Sequence, residues 1–181
     1  MEIIPNWHPI FVHFTVALFS IAVFFFFLTY VTSYTKLKSI SFLSEFEIVA
    51  RWCLWLSAVF AIITVSFGFY AYYTVKHDVI SHAAMTTHRN WALITASIIV
   101  LSGLWSLWRH NKKIKLTLTF LLVILIGEGL LVTTAWHGGE VVYRYGIGVM
   151  SLQKGEEVGH RHGHQPINSQ QSSPHTLNHN E

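Results

Sequence analysis

Charge is scarce in this chain of 181 residues: Asp, Glu, Lys and Arg together make up 12%, against 52% hydrophobic residues. A soluble domain carries about 25% charged residues, so a water-exposed globular architecture is excluded and an integral membrane protein is expected. Cysteine is scarcer still. The single Cys53 rules out an internal disulfide and any multi-cysteine metal site, and it reads as a small packed apolar residue in a helix. There are four prolines, none of them inside a long apolar run. Also absent are a nucleotide-binding glycine loop, a Ser/His/Asp arrangement and a CxxC pair, so a hydrolase, a nucleotide enzyme or a dithiol oxidoreductase has no support. The formal charge of +3 comes from a few basic residues at the ends of apolar runs, which is how membrane proteins distribute loop charge, so nucleic acid is not an expected partner.

What the chain has in abundance is hydrophobic length. Apolar runs at about 10–32, 48–75, 89–108 and 115–136 each reach the roughly 20 helical residues that cross a bilayer. Short polar connections join them, which predicts an all-α, integral membrane four-helix up-and-down bundle over residues 1–150. The residues before the first run, MEIIPNWHP, hold no Lys or Arg, and no small-residue cleavage pattern follows, so this run reads as a retained span and not a signal peptide. Beyond Trp136, the stretch HGGEVVYRYGIGV mixes β-branched residues with glycines and predicts a short extended or re-entrant segment at the bundle mouth. Residues 151–181 are rich in His, Gln, Ser and Asn, have almost nothing to bury, and are expected to be a disordered tail. Within it His160, His162 and His164 alternate, a composition that binds divalent metals loosely.

Orientation follows from the basic residues. Lys36, Lys38 and Arg51 flank the first connection, and Arg109, Lys112, Lys113 and Lys115 the third; the opposite side has Lys76 and Arg89 in its connection and Arg144 and Lys154 close after the fourth span. The positive-inside bias therefore places both termini outside the cytoplasm.

The histidines are concentrated on that outer side. His8 and His13 open the first span, His77 closes the second, His82 lies in the connection, His88 opens the third and His137 closes the fourth, whereas His110 is on the other side. An imidazole is at home at a membrane interface, and each of these residues taken singly has that reading. Clustered at one mouth, they point to a shared role, since ionisable groups facing a bundle interior are functional by default. Neutral imidazole suits copper, zinc and iron ions, and a b-type haem needs only two of them plus an apolar slot. Phe11, Phe14, Trp91 and Trp136 flank the candidates. A carboxylate-bridged dinuclear site is disfavoured, because Glu-x-x-His pairs on facing helices are absent. His13 and His88 are the expected haem ligands, with His8 and His137 as a second pair or supporting shell. All six, including His77 and His82, are candidates for the alternative, a divalent-ion site. His8 and His13 are five residues apart and diverge by roughly 140° on a helix, so both reach one point only if the helix begins between them. Glu128 stands between Gly127 and Gly129 in the middle of the fourth span. A carboxyl there is costly, so it is expected to face the bundle interior with a proton or ion role.

The opening HPIFVHFTVALF, the histidine opening the third span, and the closing WHGGEVVYRYGIGV together resemble a bacterial family of four-span membrane proteins known as domain of unknown function 2231. The resemblance covers about residues 7 to 150, with His8, Pro9, His13, His88, Gly139, Val142, Tyr143, Gly146, Gly148 and Val149 at family positions. The chain departs from the family pattern at Thr15, where proline is usual, and at Glu140, where an apolar residue is usual. The resemblance implies a bacterial inner membrane location; related domains occur fused to haem-binding or iron-sulfur modules, which suggests electron transfer. The expectation is thus a membrane redox protein holding haem b at its periplasmic end and serving a periplasmic redox partner. Divalent-ion binding or transport, or a cofactor-free structural subunit, are the competing expectations. The composition also allows a homo-oligomer within the bilayer. A reporter fused after residue 150 should be active only outside the cytoplasm, and one fused near Asn111 only inside; the reverse pattern would turn the histidine end to the cytoplasm.

Overall fold

The computed structural model describes residues 7–33, 42–75 and 79–147. They form four helices: α1 (His8–Ser33), α2 (Phe42–Thr74), α3 (Val79–Asn111) and α4 (Leu118–Tyr143). Each is long and apolar enough to cross a membrane. At 1.5 Å per residue the 26 residues of α1 and of α4 reach about 39 Å, beyond the roughly 30 Å of hydrocarbon. The surface fits that solvent, for Phe24, Trp52, Val59, Ile62, Leu101, Ile126 and Val132 are all exposed.

Each helix packs on its chain neighbours, α4 closes the ring onto α1, and α1 and α3 therefore stand diagonally. The core repeats itself. On α1 the buried residues are Thr15, Phe19, Ala22, Val23 and Phe26; on α3, Thr95, Ile99, Ser102, Gly103 and Ser106 occupy the same spacing. Ala50, Leu54, Ser57 and Ala61 of α2 are matched in the same way by Phe120, Ile124, Gly127 and Leu131 of α4. The bundle is thus two helical hairpins of one design. Because α1 and α3 run in the same direction, the hairpins are related by an approximate two-fold axis along the bundle.

Close approach at the centre depends on small residues, as is usual where lipid provides no hydrophobic drive between helices. A Cβ on Gly103 would stand 2.9 Å from the Ala58 Cβ. At the basic end the α3–α4 turn is pinned by Arg109, which is buried, donates to Thr117 Oγ1 at 3.2 Å and to the Lys115 carbonyl, and lies over the Phe120 ring. Lys113 takes φ 55° there, while its N–H donates to the His110 carbonyl and that of Ile114 to Arg109, a Schellman closure of α3.

Two stretches differ from the sequence expectation. Residues 137–143 continue α4 as helix, and the chain turns only after Tyr143. The i,i+4 pair Glu140–Arg144 and the hydrogen bond from Arg144 N to the Glu140 carbonyl extend the last turns past the two glycines. Likewise α3 begins at Val79, so His82 lies on a helix. The tail expected to be disordered, with its histidines, and His77 lie outside the described residues.

Gly103→Ala should lower the thermal stability of the detergent-solubilised protein by roughly 1–3 kcal/mol, the usual cost of overpacking. Gly129→Ala, whose Cβ meets nothing within 4 Å, should be neutral or stabilising by up to about 1 kcal/mol through helix propensity. Equal effects of the two substitutions would mean that the α2–α3 contact is not close.

Candidate functional site

The ring that meets His88 across the diagonal belongs to His8. Their centroids are 6.3 Å apart and their planes cross at 75°. Helix α1 begins at His8, with the Trp7 carbonyl accepting from Ile10 N and Phe11 N, so no break separates His8 from His13. The two side chains diverge as the helical step requires. His13 is exposed, and its Nδ1 donates back to the Pro9 carbonyl at 2.5 Å. The structure therefore does not bring together His13 and His88, the pair preferred from the sequence.

Both inward imidazoles are held in the same way. His8 Nδ1 lies 3.0 Å from the Thr64 carbonyl of α2, and His88 Nδ1 lies 3.2 Å from the Thr134 carbonyl of α4. A carbonyl only accepts, so in each ring Nδ1 carries the proton and Nε2 the lone pair. This is the tautomer in which a metal-ligating histidine is usually locked by its outer partner. One turn beyond each carbonyl comes a glycine. A Cβ on Gly68 would stand 3.0 Å from His8 Cε1, and a Cβ on Gly138 3.0 Å from His88 Cε1, so the Cε1–Nδ1 edge of each ring rests on bare backbone.

Threonines brace the two carbonyl-bearing turns. Thr15 Oγ1 is 2.9 Å from Thr64 Oγ1, and Thr95 Oγ1 is 2.8 Å from Thr134 Oγ1. Ring stacks repeat as well: Phe11 on Phe67 in one hairpin, at 5.0 Å, and Trp91 on His137 in the other, at 6.0 Å. The carbonyl bond, the glycine, the threonine pair and the ring stack of the His8 cradle thus each have a counterpart around His88.

The other candidates lie around this pair. His137 is partly buried against Trp91, with Nδ1 3.6 Å from Glu140 Oε2. His82 is exposed, its Nε2 3.2 Å from the Tyr72 hydroxyl. His110 packs on Trp55 at the opposite end. Among the described residues, no group of three or more His, Cys, Asp or Glu is placed to hold a metal ion. Glu128 turns toward α1 and accepts from Ser20 Oγ at 2.7 Å.

Thr64, Gly68, Thr134 and Gly138 were not singled out from the sequence, although the signal is present. His8 and Thr15 recur as His88 and Thr95, and Thr64 and Gly68 as Thr134 and Gly138, with spacing kept in both cases. Two shared letters in each helix are a faint repeat, and only burial register turns them into a pattern.

The family model described as predicted membrane protein, DUF2231, matches residues 5–151. No curated protein and no solved structure matches the chain.

Proposed function

The chain belongs to this DUF2231 family of predicted membrane proteins, and on that footing we propose that it is a membrane electron-transfer protein whose b-type haem is held between His8 and His88. One observation carries the reading: two imidazoles of matching tautomer facing each other across the bundle. The ring centroids are 6.3 Å apart, and the two Nε2 lone pairs would be the ones to hold the iron.

The donor set also favours haem over a bare divalent ion. A structural zinc site takes four ligands, whereas haem brings its own equatorial nitrogens and asks the protein for axial ligands alone. When bound, haem supplies a one-electron iron couple. The residues of the chain do the rest: Thr64 and Thr134 fix the tautomers, Gly68 and Gly138 give the rings room, and Phe11, Phe67 and Trp91 furnish apolar surroundings. The basic-residue bias supports an inner-membrane topology with this end periplasmic, where a redox partner would dock.

Protein purified after expression with ample haem should show a Soret band with a low-spin spectrum. His8→Ala and His88→Ala should each abolish it, by removing one axial bond, while His13→Ala and His110→Ala leave it intact. Gly68→Ala and Gly138→Ala should lower haem occupancy without unfolding the bundle. A wild-type protein without Soret absorption refutes the proposal, and metal analysis then separates a bound divalent ion from a cofactor-free subunit. Haem that survives both ligand substitutions would place the axial ligands elsewhere.

A further inference from the structure

Ser20 and Glu128 meet at the midpoint of their helices, far from either end of the bundle. Glu128 Oε1 accepts from Ser20 Oγ at 2.7 Å, and Glu128 Oε2 is buried with no hydrogen-bond partner among the described residues. Among the described residues no ion pair joins it to a cation. Facing it from α1 is Ser20; Phe19 of α1 and Ile98 of α3 pack on the adjoining Gly127; and within a turn on α4 the residues are Ile124, Leu125, Ile126, Gly129, Leu130, Leu131 and Val132. A single hydroxyl donor does not compensate a carboxylate in hydrocarbon, where an ionised group costs several kcal/mol.

The two-fold design supplies an internal control. In the other hairpin pairing, the position of Glu128 is taken by Ala58 and that of Ser20 by Val100, both packed against the apolar core. The matching register positions are thus filled by apolar side chains, in an α2–α3 contact more extensive than that of α1 with α4. We propose that Glu128, with Ser20 as its donor, is a proton-binding site at the middle of the membrane, carrying an exchangeable proton on its carboxyl. The step is acid–base alone: the O–H bond of the carboxyl breaks, the proton passes to water, and a solvent proton replaces it. It stands independently of the haem reading.

The test is infrared spectroscopy of the full chain in lipid nanodiscs. The wild type should show a protonated-carboxyl stretch that Glu128→Gln removes, and transfer to D2O should shift that band within minutes. Ser20→Ala should keep the band and move its frequency, since the one hydrogen bond to the carbonyl oxygen is gone. This second variant retains the carboxyl if the first fails to fold. Absence of the band means an ionised Glu128 and overturns the proposal. A band that D2O leaves unshifted over hours overturns it too, as a sealed structural acid. Loss of the band when sodium chloride replaces choline chloride would make the occupant a metal cation instead of a proton.

Discussion

A helical carbonyl has two lone pairs and spends one on the N–H four residues ahead. The site depends on how this chain uses the second at two positions. Thr64 and Thr134 accept from His8 and His88, and the residue four ahead is in each case a glycine, Gly68 or Gly138, whose side chain would otherwise cover the spot. Interhelical hydrogen bonds in membranes average about 0.6 kcal/mol, so these two contribute little to holding the bundle together. Their effect is orientation: each fixes a tautomer and lays one ring on the neighbouring helix. Stability comes instead from internally satisfied helices and from close contacts such as Gly103 on Ala58.

Repetition explains how one such cradle becomes a site. A single hairpin places one imidazole at its mouth, bonded within itself. Two hairpins of the same design, side by side about a common axis, bring two imidazoles face to face. Neither His8 nor His88 makes its carbonyl bond to the other hairpin, so the ring pair is assembled by the packing of two finished units.

The architecture was legible in the sequence because hydrocarbon allows so few solutions. Runs of apolar residues of that length become helices, and short connections make them antiparallel neighbours. The gathering of histidines at one end followed from alternation of direction. Which ring faces which did not. Whether His8 or His13 points inward depends on where α1 starts, and the sequence-based span beginning near residue 10 left His8 outside the helix, whereas the Trp7 carbonyl begins it two residues sooner. Glycines after Trp136 suggested irregular backbone; Gly138 is in fact there to admit the His88 ring, inside a continuing helix. Small residues selected for a neighbour look like helix breakers until that neighbour is known.

The symmetry is most informative where it fails. Glu128, His137 and Glu140 all lie on α4, and by register their counterparts on α2 are Ala58, Phe67 and Tyr70. The bonds around the two rings are the same, yet the α4 turn beside His88 carries His137 and Glu140, where the matching α2 turn beside His8 carries Phe67 and Tyr70. Backbone and threonine bonds set the geometry of the pair on both sides; the His137–Glu140 contact, which Phe67 and Tyr70 replace on the other side, makes its two members chemically distinct. A group bound between them would rest in a symmetric cradle under an asymmetric field, with the imidazole of His137 and the carboxyl of Glu140 on the α4 side.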